Sequence, residues 1–153
     1  MFLNWSKMVF ILLLPVHVRY GLVLQSSLGR AEDGITIWYA KNSIIENVFV
    51  YDVTEEGIFV RRGENIFIVN NWVSRTGDHG IQLTDGSTGC LVRGNMVNGS
   101  GVHYGWGIAV RTEVVGQPQP ERNIIIGSTV VNALSQGGIA VFWLTQFNIG
   151  QFH

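Results

Sequence analysis

The chain has 153 residues, of which 14% are charged and 46% are hydrophobic, and its formal net charge is −1. This length is typical of one domain, and a nearly neutral chain lacks the basic surface that nucleic-acid binding requires. Because Cys90 is the only cysteine, a disulfide bond within the chain is excluded. The 19 glycines favour a fold with many tight corners.

The first twenty residues differ in pattern from the rest of the chain. Lys7 precedes an apolar run from Met8 to Val16, which is typical of a signal peptide, and no small-residue cleavage pattern follows it. The run is too short to cross a membrane as a helix. We expect residues 1–20 to be a signal-like segment or, alternatively, a cap on the domain formed by residues 21–153. The signal-like reading predicts a secreted or cell-surface protein.

One four-residue motif recurs five times after this segment. Each copy reads Gly-Ile, any residue, then Ile, Val or Leu, and the copies begin at Gly34, Gly57, Gly80, Gly107 and Gly138. The glycines are 23, 23, 27 and 31 residues apart. A repeat of this length indicates one structural unit stacked on copies of itself.

Alternating apolar residues precede the motifs, and this two-residue period indicates strands rather than helices. The predicted inward residues are Ile45 and the pairs Ile66/Ile68, Cys90/Val92 and Ile124/Ile126. A valine follows each of these sets, at Val50, Val73, Val97 and Val131. The intervening turns hold Asn47, Asn70, Asn71 and Asn95, and asparagine tolerates left-handed backbone in turns.

Each unit is therefore predicted to be a coil of two or three short strands. Stacked coils would align one isoleucine from every motif in a buried column, made of Ile35, Ile58, Ile81, Ile108 and Ile139. A second buried column would hold Ile37, Val60, Leu83, Val110 and Val141.

This repeat resembles that of the right-handed parallel β-helix proteins, the architecture of pectate lyases, alginate epimerases and phage tailspikes. The resemblance covers roughly residues 21–145 and implies an all-β, right-handed parallel β-helix, or solenoid, of about five coils. The stretch from Phe142 to Ile149 looks like the start of a further coil without a polar cap. An uncapped end of this kind predicts either that the chain is a fragment of a longer solenoid or that this end pairs with a partner. The oligomeric state is left open.

Polar and aromatic residues are expected on the outside of the Gly-Ile strands, two and four positions after each glycine and directly before it. The resulting set of candidates on neighbouring coils is Glu56, Arg61, Asp78, His79, Gln82, Trp106 and Arg111. Arginine pairs with carboxylates in a bidentate way, and histidine exchanges a proton near neutral pH. We therefore predict a polysaccharide site in which His79 is catalytic and the other six residues bind substrate.

The segment from Ser74 to Ile81 is similar to the stretch ending Arg-His-Gly in mannuronan C5-epimerase catalytic modules. This resemblance places His79 at a catalytic histidine and implies proton abstraction beside a uronate carboxylate, which begins both lyase and epimerase reactions. Three places depart from that family. Asp78 stands in place of its arginine, Arg61 stands in place of a functional aspartate, and the segment 36–39 has neither the acid nor the histidine that the family carries there.

Two functions therefore remain open. The first is an extracellular protein that binds or processes an acidic, uronate polysaccharide, and the second is a non-catalytic structural or adhesive solenoid module. Whether the chain is an enzyme is left undecided. We predict no cofactor and no metal at the site, with calcium between stacked Asp33 and Glu56 as a minor alternative. The expected partner is a polysaccharide, with no nucleic acid and no membrane span.

Overall fold

The structure, a computed structural model, describes residues 8–11, 17–19, 23–25 and 32–142, and the side chains discussed below lie within 32–142. These parts of the chain contain sixteen short β-strands and no helix. In chain order the strands are β1 (Met8–Ile11), β2 (His17–Arg19), β3 (Val23–Gln25), β4 (Ile35–Trp38), β5 (Lys41–Glu46), β6 (Phe49–Val53), β7 (Ile58–Arg61), β8 (Glu64–Val69), β9 (Trp72–Thr76), β10 (Ile81–Thr84), β11 (Leu91–Arg93), β12 (Met96–Asn98), β13 (Trp106–Arg111), β14 (Ile124–Ile126), β15 (Thr129–Val131) and β16 (Gly137–Phe142).

The strands form three parallel sheets that run the length of a solenoid. Sheet A has the order β1-β4-β7-β10-β13-β16 and contains the Gly-Ile strands. Sheet B has the order β2-β5-β8-β11-β14, and sheet C has the order β3-β6-β9-β12-β15. Each coil therefore contributes one strand to every sheet, which confirms the all-β parallel β-helix and settles three strands per coil.

The strands β1 and β2 lie within residues 1–20 and pair in parallel with β4 and β5. The assignment of residues 1–20 as a signal-like or capping segment stays a prediction. The predicted start of a further coil at 143–149 lies outside the described residues.

The interior of the solenoid is apolar, as the repeat predicts. Ile35, Ile58, Ile81 and Ile108 are fully buried and pair in register between neighbouring strands of sheet A. Ile139 continues this column in β16, the last strand of sheet A among the described residues, and it is 50% exposed. Both predicted columns are thus correct in register, and burial fades only in the last coil.

The glycine of the first four motifs is required by close approach of two chain segments, whereas a Cβ atom added at Gly138 would meet nothing within 4 Å. A Cβ atom added at Gly57 would lie 2.3 Å from the Val73 side chain and 2.5 Å from the Gly80 carbonyl oxygen. Side-chain carbon atoms pack no closer than about 3.5 Å. The motif therefore begins with glycine because sheets A and C meet at this point.

The last coil corrects one prediction. Val97 pairs with Val130 rather than with the predicted Val131. Val92 pairs with Ile125 rather than with one of the predicted residues Ile124 and Ile126. Side chains alternate between faces, so a shift of one residue moves every side chain to the opposite face. Three residues predicted to point inward are consequently exposed, namely Ile124, Ile126 and Val131.

Asparagines serve two purposes at the turn between sheets B and C. Asn47 and Asn70 occupy left-handed backbone with φ of 56° and 55°, which asparagine accepts more readily than most residues. Asn71 and Asn95 are buried, and the Asn71 amide donates to Asn95 Oδ1 at 3.0 Å and to the Ile45 carbonyl at 3.0 Å. This ladder satisfies the backbone of a buried turn.

Candidate functional site

The outer face of sheet A carries the predicted site residues in the expected register. Gln82 lies between Phe59 and Ala109 on adjacent strands, and Thr84 lies between Arg61 and Arg111. The sequence predicts an exposed groove at this face. The structure buries it instead, because Gln82 and Thr84 are both 0% exposed although they point away from the solenoid interior.

Buried polar atoms without a hydrogen-bond partner are concentrated on this face. Both amide atoms of Gln82 and the hydroxyl of Thr84 have no partner in the described part of the chain. The same holds for Trp38 Nε1, Trp106 Nε1, Arg111 Nε and Thr112 Oγ1. A buried polar group left without a partner costs about 1–3 kcal/mol. Such a concentration in one face needs a physical explanation.

An aromatic and cationic cluster lies on the same face at β13 and β16. The Trp106 and Phe142 ring centroids are 6.4 Å apart, and the Arg111 guanidinium lies 5.7 Å from the Phe142 centroid. Trp106 is half-buried. This arrangement presents an indole edge and a guanidinium beside the unpartnered groups of Gln82 and Thr84.

A carboxyl pair lies at the end of sheet A where the Gly-Ile strands begin. Asp33 and Glu56 are both buried, and Asp33 accepts from Thr36 Oγ1 at 2.5 Å and from the Glu56 backbone N–H at 3.4 Å. Burial, followed by the hydrogen bond and charge of Asp33, raises the pKa of Glu56 to about 9. The pair therefore holds one proton at neutral pH, since two adjacent carboxylates cannot both ionise at low cost.

The same pair belongs to a potential cation site. Carboxylate atoms of Asp33, Glu55 and Glu56 lie within 4.8 Å of one another, and oxygen ligands of this kind suit calcium. A cation there would have to displace the shared proton. The minor calcium alternative thus has a geometric basis.

His79 is buried, with 1% exposure. Its Nδ1 accepts the Trp106 backbone N–H at 2.9 Å, and its ring meets the Tyr104 ring edge-on with centroids 6.0 Å apart. Burial, followed by the charge of Arg111, lowers the pKa of His79 to about 4. The imidazole is therefore neutral at pH 7 and holds its proton on Nε2. The predicted catalytic role of His79 stays a prediction.

Asp78 precedes His79 and is half-buried. Burial raises the pKa of Asp78, while the charges of His103 and Arg111 act in the opposite direction. The charge of Asp78 also contributes to the raised pKa of Glu56. The structure thus brings Glu56, Asp78 and His79 to one end of the face.

Both arginines predicted to bind substrate already have acidic partners. Arg61 Nη2 lies 2.7 Å from Asp85 Oδ2, and Arg111 Nη2 lies 3.2 Å from Glu113 Oε1. Asp85, Thr112 and Glu113 were missed by the sequence reasoning, and Trp38 and Thr84, although their alternation places them on the outer face, were not chosen as site residues. Asp85 directly follows β10 and Glu113 lies two residues after β13, and these places at strand ends were the available signal.

The loop from Thr112 to Glu121 borders the face, as its length after β13 suggests. The Asp85 carboxylate accepts the backbone N–H groups of Glu113 at 2.8 Å and Val114 at 3.2 Å. Arg62 donates to Gln117 Oε1. The strand before the loop, β13, pairs with β10, and the strand after it, β14, pairs with β11, so the extra residues are confined to a corner.

A second concave surface lies on the opposite side of the solenoid, at the turn between sheets B and C. The Phe49 and Trp72 rings stack there with centroids 6.3 Å apart, and Trp72 is 43% exposed. The side chains of this second surface belong to the turn between sheets B and C and lie away from sheet A. Trp72 therefore offers a control position for the site on sheet A.

Comparison with known proteins identifies the architecture. Residues 23–149 match the family described as right handed beta helix region, whereas no curated protein and no solved structure gives a match. No helix in the described residues is long and apolar enough to cross a membrane. The finer resemblance to pectate lyases and epimerases stays a prediction. Because the match spans most of the chain and the three parallel sheets agree with it, the chain belongs to the right-handed β-helix family.

Proposed function

We propose that this β-helix binds a polysaccharide along the outer face of sheet A. The observation that carries the proposal is the set of buried polar atoms without partners at Trp38, Gln82, Thr84, Trp106 and Thr112. A glycan offers hydroxyl groups that donate and accept at every ring, so it can satisfy amide, hydroxyl and indole groups together.

The geometry of the solenoid supports an extended ligand. Neighbouring strands of a sheet are about 4.8 Å apart, and the unpartnered groups come from β4, β10 and β13 of sheet A. A ligand that contacts all of them would cross several coils. A polymer of linked rings meets this requirement better than a single small molecule. In this proposal the protein works outside the cell, as the signal-like segment suggests.

Processing of the bound glycan is a second candidate function, and the protonated carboxyl of Glu56 favours it. A carboxylic acid that keeps its proton at neutral pH can act as a general acid. His79 is the imidazole beside it, and lyase or epimerase chemistry on a uronate would use it as the base. The low pKa of His79 makes it a weak base, so we propose binding as the primary function and turnover as the secondary one.

Binding is tested with a glycan array followed by calorimetry on the strongest ligand. Replacement of Gln82 by leucine removes two hydrogen-bonding groups and should weaken binding by about 5- to 100-fold. Trp72→Ala is the control, because it removes an exposed aromatic ring far from sheet A, and its affinity should equal that of the wild type.

Turnover is tested on the same ligand by product analysis, with His79→Asn and Glu56→Gln as variants. Loss of turnover with retained binding would support the catalytic assignment. Binding to no glycan, by a protein that unfolds cooperatively, would leave the non-catalytic structural or adhesive module as the function.

A further inference from the structure

We propose that the ligand of sheet A is an uncharged, hydroxyl-rich glycan and that the site disfavours uronate polymers. This inference rests on the proposed binding function and names its substrate class, and it argues against uronate turnover, the second candidate function. It departs from the expectation of an acidic polysaccharide, which depended on Arg61 and Arg111 as carboxylate-binding residues. The observations that carry it are the internal partners of both arginines and the excess of carboxyl groups at the site.

Arg61 has little freedom to bind a carboxylate of the ligand. Its partner Asp85 is 0% exposed and also accepts two backbone N–H groups from the loop after β13. If Arg61 turned towards a ligand, Asp85 would remain as a buried charge without its cation. Breaking a buried ion pair in this way is strongly unfavourable. The Arg61–Asp85 ion pair is therefore a structural contact of the face, and Arg61 is not available to bind a carboxylate of the ligand.

Arg111 is held in a similar way, although less deeply. Its guanidinium lies 3.2 Å from Glu113 Oε1 and 5.7 Å from the Phe142 ring centroid. A carboxylate of the ligand would have to compete with Glu113 for Arg111 and would approach Glu113 itself. The Nε atom of Arg111 has no partner, and one N–H can be satisfied by a neutral hydroxyl oxygen.

Carboxyl groups outnumber arginines around the face. Besides Asp85 and Glu113, the end where the Gly-Ile strands begin carries Asp33, Glu56 and Asp78. Their mutual influence is visible in Glu56, which keeps its proton because of burial and the nearby acids. A uronate placed along the face would add one negative charge per ring to this environment, and like charges at partly buried positions repel strongly.

The groups that lack partners are mostly neutral and fit hydroxyls. The Gln82 amide donates and accepts, the Thr84 hydroxyl does both, and the indole N–H of Trp106 donates. These groups would satisfy the ring oxygens and hydroxyls of a neutral sugar without any charge pairing. The face thus offers neutral hydrogen-bonding groups to the ligand and has acidic residues around them.

Matched ligand pairs test the inference, because the two members of each pair differ only in the group at C6, which is neutral in one and a carboxylate in the other. Calorimetry would compare oligomers of β-1,4-mannan with β-1,4-mannuronate, and methyl-esterified with free α-1,4-galacturonate. The neutral member of at least one pair should bind at least about 10-fold more tightly at low salt. The difference should shrink as salt screens the repulsion. Tighter binding of the acidic members would overturn the inference and leave the proposed binding function intact.

A gain of uronate binding provides the second test. Glu113→Gln removes the acidic partner of Arg111 at the margin of the face, and Asp85→Asn removes that of Arg61 while keeping an oxygen that accepts the backbone N–H groups. Each variant should raise the affinity for the acidic member by about five- to ten-fold. No rise in either folded variant would contradict the inference. If neither these oligomers nor any glycan on the array binds the wild type, the proposed function itself fails.

Discussion

The two faces of sheet A are both buried, but they bury different chemistry. On the inner face Ile58, Ile81 and Ile108 pack into an apolar column. On the outer face Gln82 and Thr84 are equally inaccessible, yet their polar atoms have no partner among the described residues. Burial alone therefore does not separate a structural face from a binding face. What separates them is whether the buried groups are satisfied.

The inner face should show the largest effect of a single substitution. Ile81→Ala removes a fully buried side chain from the centre of the column, and it should lower the free energy of unfolding by about 2–5 kcal/mol. Chemical denaturation followed by circular dichroism measures this change. A loss below about 1 kcal/mol would mean that the interior relaxes around the cavity and that the contrast with the outer face is weaker than proposed.

The outer face should respond in the opposite direction. Gln82→Leu replaces an unsatisfied buried amide with an apolar side chain between Phe59 and Ala109, so it should raise the free energy of unfolding by about 1–3 kcal/mol. The same variant should bind the glycan less tightly. A gain in stability with a loss of binding is expected of a residue kept for function. A destabilised variant would show that Gln82 has a structural partner.

Glu56 predicts a decline of stability with increasing pH. Its pKa is raised from 4.5 to about 9, so the folded state holds a proton that the unfolded state releases. This contribution to stability is complete below pH 4.5 and is lost as the pH rises through about 9. In Glu56→Gln the decline should disappear. Denaturation of both proteins from pH 5 to pH 9 measures it, and parallel curves would contradict the shared proton of Asp33 and Glu56.

His79 predicts the reverse dependence on the acid side. Its pKa is lowered from 6.5 to about 4, so between these pH values the unfolded state binds a proton that the folded state does not bind. The contribution of neutral His79 is complete above pH 6.5 and is lost as the pH falls through about 4. His79→Asn keeps an oxygen acceptor for the Trp106 N–H and should lose less stability between these values. Nuclear magnetic resonance titration of His79 gives its pKa directly.

The corner loop should show the smallest effect. Deletion of residues 115–120 removes part of the loop after β13 while leaving the backbone groups of Glu113 and Val114 that bind Asp85. Loop length changes stability by only about 0.6 kcal/mol for each doubling. The variant should still unfold cooperatively. Loss of cooperativity would show that the loop is needed to hold the neighbouring coils together.

The sequence is sufficient for the fold because every coil repeats the same requirements. The glycines of the motif and the two apolar columns lie in the predicted register. The last coil was misread by one residue because runs such as Ile124–Ile126 are apolar at every position, and alternation cannot then reveal which side chain points inward.

The site was only partly predictable for a different reason. Alternation places Gln82, Arg61 and Arg111 on the outer face, but it does not report their burial or their partners. Asp85 and Glu113 lie at corners, where the strand period no longer applies, so their pairing with the arginines depends on the path of the loop. The proton on Glu56 depends likewise on contacts between coils.

The similar length of the coils, from 23 to 31 residues between motif glycines, has a consequence for how the chain folds. Ile35 pairs with Ile58, and Ile58 pairs with Ile81, so each new strand closes a loop of similar, modest length. The entropy of closure is then similar at every step, however many coils have already formed. Assembly can nucleate at any pair of coils and propagate in both directions. Folding of this chain should accordingly resemble the growth of a one-dimensional crystal, in which each added coil packs on the coil before it.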